Sequence, residues 1–310
     1  MLGYIVRRLL GMIPIILGVA LLVFVLFTFV GEDPVRLALG NHATKESIAE
    51  LRHQWGLDQP LPVQFLLFLK QIVTMDFGRS FNSGEQLSTM FARGALVSLA
   101  LTVPAFIVSA IFSVCMGMLI AYYRGSKFDR WSAFWTIAGL SIPYLVYIIG
   151  GQYIFAYLLG WFPINGFEHG LAGIYYLLLP WLILFIVELG PEIRLYRTVF
   201  LDETKSDYVR TAFAKGASAS DALFKHILKN AMIPIITNLV VTIPFLITGA
   251  FLMERFFGIP GVGDLILNAI NTGDFPVLKG LTVLIAIGFA FFNLLSDILY
   301  AYVDPRVQLK

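Results

Sequence analysis

Charged residues are scarce in this sequence. They make up 14% of the 310 residues, whereas 58% are hydrophobic and the mean hydropathy is +0.80. A soluble domain is about half apolar and about a quarter charged, so the shortage excludes an ordinary soluble protein and predicts one that crosses a membrane several times. The net charge of +2 gives no electrostatic reason to expect a nucleic-acid partner.

Residues that bind metals or perform nucleophilic chemistry are equally sparse. The only cysteine, Cys115, lies in an apolar run, which excludes an intrachain disulfide and predicts a small buried hydrophobic side chain. The four histidines are scattered without ligand-like spacing, so no metal site is predicted. No serine or cysteine has a base partner in its sequence context, which argues against an intramembrane protease.

A phosphate-binding loop is also missing. The sequence contains no Gly-Lys dipeptide, and the P-loop requires one. The chain therefore cannot hydrolyse ATP by that route, and we expect a non-catalytic protein with no cofactor of its own.

Long apolar runs, by contrast, are abundant and predict an all-α fold with six transmembrane helices. The predicted spans are about Leu9–Val30, Leu96–Tyr122, Trp131–Leu159, Ile174–Leu189, Ile233–Leu252 and Leu281–Tyr302. The first span could instead be a signal peptide, but it is about 22 residues long and no small-x-small cleavage site ends it, which favours a retained helix. A Ser-x-Pro sequence at Ser141–Leu145 predicts a kink in the third span.

Three regions follow from this pattern: residues 1–30, 31–93 and 94–310. The first holds the N-terminus and the first span, and the second is a polar excursion outside the membrane. Within the excursion we predict an amphipathic helix over Ala43–Leu57 capped by Thr44, a second helix over Val63–Val73, and a turn at Asp76–Ser80. Residues 94–310 form a five-helix membrane domain that includes a polar loop at 202–232.

Only two carboxylates are predicted within or near the membrane spans, Glu188 and Asp297, each close to an interface. For Glu188 we expect a structural role, either reaching water or paired with Arg194. A secondary transporter working alone would require paired carboxylates or histidines in mid-membrane, so their shortage disfavours that alternative.

The most polar run after residue 94 is Tyr208–Pro234. The first part of this run predicts a short helix that ends at Gly216, because glycine readily adopts the left-handed backbone conformation that often follows the last turn of a helix. Ser218 stands three residues before Asp221, which predicts a capped second helix over Ala219–Asn230. A basic helix-turn-helix that projects from a membrane domain predicts a docking element, although an amphipathic loop lying on lipid is the alternative.

This run resembles the cytoplasmic coupling loop, or EAA loop, of ABC-importer permeases. The shared features are Ala212, Ala214, Gly216, Ile233 and Pro234. The sequence of Asp207–Gly216 is similar to the corresponding motif of the B-type permease subunit of the dipeptide, oligopeptide and nickel importer family. Similar patterns occur in the outer segment and in two outer, loop-like stretches, Met253–Gly263 and Gly273–Gly280. The resemblance implies that a partner ATPase docks on Tyr208, Arg210, Thr211, Ala212, Phe213, Ala214, Lys215, Gly216 and Ala217.

The same resemblance implies the partners and the cargo. The partners would be a homologous second permease, two ATPase subunits that bind ATP and Mg, an extracytoplasmic substrate-binding protein, and membrane lipid. The outer segment would receive the binding protein, or would serve only as a structural lid. Short peptides are the expected cargo, and nickel, glutathione or another small solute are the alternatives.

The distribution of basic residues predicts the orientation in the membrane. With the N-terminus inside, the inner segments hold 14 Lys and Arg and the outer segments hold 8, six of them in the long excursion or at its end. Basic residues concentrate on the cytoplasmic side. Both termini and the 202–232 loop are therefore expected to face the cytoplasm of a bacterium, with the chain in the inner membrane.

Overall fold

The protein is described here from a computed structural model that covers residues 2–29, 35, 39 and 44–303. Within these residues it is helical throughout, with no β-strand. In chain order the helices are α1 Leu2–Phe29, α2 Lys45–Gln54, α3 Leu61–Thr74, α4 Leu87–Tyr122, α5 Lys127–Leu140, α6 Tyr144–Leu158, α7 Gly173–Glu203, α8 Asp207–Ala214, α9 Ala219–Ile247, α10 Phe251–Phe257, α11 Val262–Thr272 and α12 Phe275–Val303.

Five of these helices (α1, α4, α7, α9 and α12) are long and apolar enough to cross a membrane. The pair α5 and α6 supplies the sixth span if it is counted as one, and it is bent by 91°. The bend lies at the predicted Ser-x-Pro break. At the break, the carbonyl oxygen of Gly139 accepts hydrogen bonds from the hydroxyl of Tyr147 at 2.9 Å and from the backbone nitrogen of Ile142 at 3.2 Å, so this group stays satisfied where the helix ends.

Several predicted helix boundaries are wrong, and two of the errors lie at prolines. Helix α7 continues through Pro191 to Glu203 rather than ending at Leu189. The predicted second loop helix and the fifth span form one helix, α9, which passes through Pro234 and ends at Ile247. Membrane helices tolerate interior proline because neighbouring groups and local adjustments satisfy the freed carbonyls; in α9 a π-helical turn covers Ala222–Ile227.

The remaining boundary errors lie at the outer ends of the helices. Helix α4 begins at Leu87, before the predicted Leu96, and α12 begins at Phe275, before the predicted Leu281. The stretch Met253–Gly263, expected to be loop-like, contains most of the short helix α10, and Gly273–Gly280 contains the first turn of α12. Glycine and proline in these stretches mark helix ends at Gly258 and Gly273 rather than continuous loops.

The prediction for Cys115 is also wrong, because this side chain is exposed on α4 of the single chain. The face of α4 that packs inside carries other small residues instead, including Ser109, Ser113 and Gly117. A Cβ on Gly117 would lie 2.9 Å from the backbone nitrogen of Arg197 in α7, so the two helices approach very closely there. Hence α4 and α7 form a tightly packed pair at the centre of the fold.

The segment between α1 and α4 forms the two helices expected of it. The backbone nitrogen of Ser47 donates to Oγ1 of Thr44 at 3.2 Å, which confirms the predicted cap of α2. Helix α3 packs Phe68 and Ile72 into a core shared with α1 and α12. The ring of Phe65 contacts that of Phe24 edge-on, with centroids 5.3 Å apart. Helix α3 thus attaches the segment to the first span.

Asp274 fixes the turn after α3 to the start of α12. Its buried carboxylate accepts hydrogen bonds from the Ser80 hydroxyl at 2.6 Å and from the backbone nitrogens of Phe81 and Asn82 at 3.2 and 3.3 Å. A carboxylate that accepts several hydrogen bonds in a buried position is costly to remove, because each donor is then left without a partner. Asp274 therefore holds two remote parts of the sequence together.

We expect Asp274→Ala to release this turn. Losing the acceptor of three buried or part-buried donors should destabilise the folded protein by about 3 kcal/mol. Trypsin should then cleave after Arg79 faster than in the unaltered protein, which gel analysis of timed digests would measure. Asp76→Ala is the matched control, because Asp76 is exposed and its carboxylate accepts a single hydrogen bond, from the Gly78 nitrogen. Equal cleavage rates in the two variants would contradict the role of Asp274.

Candidate functional site

The polar loop at 202–232 is built as a short helix, a tight turn and the start of a long helix. Helix α8 ends where Gly216 adopts a φ of +87°, the left-handed conformation expected from the sequence. The turn is closed by a hydrogen bond from the Ala217 nitrogen to the Ala212 carbonyl oxygen at 3.1 Å. Ser218 then caps α9, its hydroxyl oxygen accepting from the Asp221 nitrogen at 3.1 Å. Local sequence signals thus account for the whole turn.

The inner face of α8 packs against the body of the protein. Val209 is buried in a cluster with Tyr196 and Phe200 of α7 and with residues at the start of α9, and Ala212 is buried as well. Tyr208 is half-buried, and its hydroxyl donates to the carboxylate of Glu203. Burial raises the pKa of Tyr208 to about 12, and the Glu203 carboxylate acts in the same direction. Movement of α8 would therefore be passed directly to α7 and α9.

The outer face of the loop is a continuous exposed surface. Six of the nine residues predicted to meet an ATPase lie on it: Arg210, Thr211, Phe213, Ala214, Lys215 and Gly216. Ala217 is half-buried like Tyr208, and Ala212 is only 6% exposed, so Ala212 contacts this chain's own core. Phe213 is 49% exposed, which is unusual for an aromatic side chain between charged neighbours. An apolar centre with a charged rim is typical of a protein interface.

A buried ion pair supports α7 close to this loop. The carboxylate of Asp129 accepts from Nε and Nη2 of Arg197, both at 2.8 Å, and its other oxygen accepts from the backbone nitrogen of Gly125 at 2.9 Å. Asp129 is buried at the start of α5, whereas Arg197 lies on α7. The pair therefore locks the turn between α4 and α5 to α7.

We expect Arg197→Ala to destabilise the folded protein by about 3 kcal/mol, since it leaves a buried carboxylate without its counterion. The melting temperature of the detergent-solubilised protein, followed by tryptophan fluorescence, would fall accordingly. Lys205→Ala removes a pair in which both side chains are about two-thirds exposed, and such pairs contribute little. A melting temperature for Arg197→Ala no lower than for Lys205→Ala would contradict the structural role of the buried pair.

A second carboxylate, Glu254, organises the other end of the membrane helices. It is fully buried, and it accepts from the Ser98 hydroxyl at 2.7 Å, the Ala250 nitrogen at 3.2 Å and the Asp264 nitrogen at 3.1 Å. A Cβ on Gly261 would lie 2.4 Å from its carboxylate, so only glycine fits beside it. One side chain thus connects α4, α10 and the start of α11.

Between these two ends, α7 carries a strip of polar side chains at four-residue intervals. Its members on α7 are Glu188, Glu192 and Tyr196, and they face Ser109 and Ser113 of α4. The Ser109 hydroxyl donates to Glu188 at 2.5 Å. We call these five residues the acidic strip. The expectation that Glu188 pairs with Arg194 near an interface is wrong: Glu188 lies halfway along α7 and its hydrogen-bond partner is Ser109.

A cavity of about 310 Å³ adjoins the strip between α7 and α9. Its lining combines apolar side chains with Tyr196, Thr237 and Asn238, and the Asn238 amide donates to the Tyr196 hydroxyl oxygen at 3.3 Å. Polar groups therefore continue from the middle of α7 towards the 202–232 loop.

Sequence analysis missed Glu192 because it ended the fourth span at Leu189, and it did not single out Ser113 within the second span. Their signal was nevertheless in the sequence. Glu188 and Glu192 are four residues apart, as are Ser109 and Ser113, and residues at this spacing share one face of a helix.

A bundle of membrane-crossing helices with an exposed polar loop at one end is the architecture expected of a transport permease. Residues 1–97 match the N-terminal family described as "Binding-prot-dependent transport system membrane comp, N-term". Residues 113–309 match the "Binding-protein-dependent transport system inner membrane component". The chain belongs to this family, and the resemblance to ABC-importer permeases is confirmed. It is a multi-pass protein of the bacterial inner membrane and a permease component of a transport system.

Known relatives agree over the full length. The chain is 36% identical to the glutathione transport system permease protein GsiC of Salmonella paratyphi A over 310 residues, covering 100% of both chains. It is 32% identical to the dipeptide transport system permease protein DppB of Alkalihalophilus pseudofirmus, covering 99% of this chain and 100% of the relative. Among solved structures, the inward-facing MetNI methionine ABC transporter gives a TM-score of 0.56 at 18% identity, covering 69% of this chain and 96% of that one.

Proposed function

We propose that this permease imports short peptides, working with a homologous second permease, two ATPase subunits and an extracytoplasmic binding protein. A peptide cargo is supported by two relatives, one named for dipeptide transport and one for the transport of glutathione, which is itself a tripeptide. Both require a path for a small, polar, peptide-like solute. Glutathione is the second candidate cargo, because a relative named for it is 36% identical over the whole chain.

The docking of an ATPase on the 202–232 loop is supported by the two faces of α8. The outer face offers an exposed aromatic ring, Phe213, flanked by Arg210 and Lys215. The inner face is part of the core that contains Tyr196 of α7. A surface that is open to a partner on one side and packed on the moving helices on the other can convert ATPase closure into helix movement.

The orientation and the role of the outer segment belong to the same proposal. The excess of basic residues around the 202–232 loop supports cytoplasmic termini and an ATPase on that side. The segment comprising α2 and α3 then lies on the extracytoplasmic side of the membrane, where it receives the binding protein. Its attachment through Asp274 to the first turn of α12 gives a binding protein a mechanical connection to the membrane helices.

The test is ATP-driven uptake by the complete importer. The permease is tagged, purified with the subunits that accompany it, and reconstituted in liposomes with ATP inside and the binding protein outside. We expect labelled dialanine to accumulate, and accumulation to cease when ATP is replaced by a non-hydrolysable analogue. Uptake of glutathione without dialanine would select the second candidate. A chain that purifies alone and moves solute without ATP would contradict the proposal.

A further inference from the structure

The outer face of α5, together with the turn before it, carries exposed side chains in a graded order. Three basic residues come first, three aromatic residues follow, and aliphatic residues lie nearest the bend: Arg124, Lys127 and Arg130, then Trp131, Phe134 and Trp135, then Ile137 and Leu140. Lys127 lies one helical turn before Trp131, and Arg130 lies one turn before Phe134, so charges and rings share one face. We call the three basic and three aromatic residues the α5 patch.

The opposite face of α5 packs on α7, which fixes the position of the patch. Asp129 pairs with Arg197 near the start of α5. Further along, a Cβ on Gly190 of α7 would lie 3.2 Å from the carbonyl oxygen of Thr136. Helix α5 therefore runs antiparallel to α7. Its basic start lies towards the 202–232 loop, and its apolar end lies towards the middle of α7.

The basic residues of the patch have no counterion among the residues that the structure describes. None of Arg124, Lys127 and Arg130 forms an ion pair there. Between residues 93 and 168 the sequence contains a single carboxylate, Asp129, and this one is buried and bound to Arg197. Three unpaired cations on one face attract an anion from outside the chain.

The order of the side chains indicates that this anion belongs to a lipid. A protein interface has an apolar core surrounded by a polar rim. Here the side chains instead change from basic to aromatic to aliphatic along one helix. A bilayer changes in the same order, with Lys and Arg outside it, Trp at the level of the headgroups and aliphatic residues in the hydrocarbon. Trp131 and Trp135 are 60% and 64% exposed, so both rings are free to contact lipid.

We propose that the α5 patch binds the headgroup of an anionic phospholipid. The basic side chains donate to the phosphate, since hydrogen bonds between charged partners are the strong ones. The aromatic rings lie at the level of the glycerol backbone, and the acyl chains follow Ile137 and Leu140. The inference concerns a surface remote from the cargo, and it does not depend on which solute is transported.

Photolabelling of the complete importer tests the site. The permease, with the subunits that accompany it, is placed in phosphatidylcholine nanodiscs that contain a small fraction of a photoactivatable lipid. The two probes are phosphatidylglycerol and phosphatidylcholine analogues with the same reactive group near the glycerol backbone. Mass spectrometry measures the labelled fraction of the peptide that carries Trp131 and Trp135. We expect the anionic probe to label it at least about twentyfold more, since each basic side chain near an anionic surface contributes about fivefold.

Neutralising two basic residues should remove most of this preference. Lys127→Gln combined with Arg130→Gln leaves only Arg124, so the labelling ratio should fall to about fivefold or less. The matched control is Lys45→Gln combined with Lys70→Gln, which removes two exposed lysines from α2 and α3 and should leave the ratio unchanged. Lys127→Arg combined with Arg130→Lys preserves both charges and should keep the ratio as well.

Three results would overturn the inference. Equal labelling by the two probes would show that the patch does not select an anionic headgroup. A ratio for the Lys127→Gln and Arg130→Gln protein as high as for its control would show that these residues do not bind the headgroup. A peptide labelled by neither probe would mean that another subunit covers the patch. Peptide uptake is measured separately, so failure of the proposed function leaves this test unaffected.

Discussion

Replacing Gly216 with alanine is expected to reduce ATP-driven uptake about tenfold while the chain still inserts in the membrane. The φ of +87° at this residue costs an L-amino acid about 1–2 kcal/mol. No atom lies within 4 Å of the position a Cβ would take, so the effect is one of backbone strain and not of collision. Relieving the strain requires the turn after α8 to open, which displaces Phe213 and Lys215. Uptake by the reconstituted importer, normalised to the amount of permease, measures the effect.

Gly125→Ala is the matched control for this prediction. Gly125 has a φ of +80°, and a Cβ there also meets nothing within 4 Å, but it lies in the turn between α4 and α5. The two variants therefore carry the same kind of strain at different places. If both lose uptake equally, the loss reflects general destabilisation, and the docking role of the 202–232 loop is contradicted.

Replacing Glu254 with alanine is expected to cause the largest loss of stability. The change leaves the Ser98 hydroxyl and the nitrogens of Ala250 and Asp264 without their acceptor in a fully buried position. Hydrogen bonds to a charged group contribute about 1.5–3 kcal/mol each, so the loss of three should destabilise the protein by at least about 4.5 kcal/mol. The melting temperature of the detergent-solubilised protein and the yield of inserted protein should both fall.

Glu254→Gln separates the shape of this side chain from its charge. The amide retains one carbonyl oxygen, so it should recover part of the lost stability, whereas Ser98→Ala removes a single donor and should cost least. The expected order of melting temperatures is therefore Ser98→Ala above Glu254→Gln above Glu254→Ala. A Glu254→Ala protein as stable as Ser98→Ala would contradict the central position assigned to this carboxylate.

Local signals in the sequence predicted the local structure well. The Thr44 cap, the left-handed Gly216, the Ser218 cap and the break after Ser141 all depend on interactions within a few residues, so the sequence contains the necessary information. The number of spans was predictable because about twenty apolar residues are needed to cross a bilayer.

Features that depend on distant contacts were not predictable from the residues alone. Asp274 binds Ser80 across 194 positions, and Glu254 binds Ser98 across 156. Neither residue differs locally from an ordinary loop carboxylate. The boundary at Pro191 was missed because proline usually ends a helix in water, whereas a membrane environment favours continuing it. That single error concealed Glu192 and, with it, the acidic strip.

The continuity of α7 has a mechanical consequence. With 31 residues the helix is about 46 Å long. It is held near one end by the Asp129–Arg197 pair and packed there against α8. A rigid rod of this length that tilts by about 5° about one end moves its other end by about 4 Å. Halfway along, at Glu188, the displacement is about 2 Å, which is enough to exchange one set of hydrogen-bond partners for another. Helix α7 would thus act as a lever: displacement of α8 at one end of the helix would move Glu188 relative to Ser109 of α4.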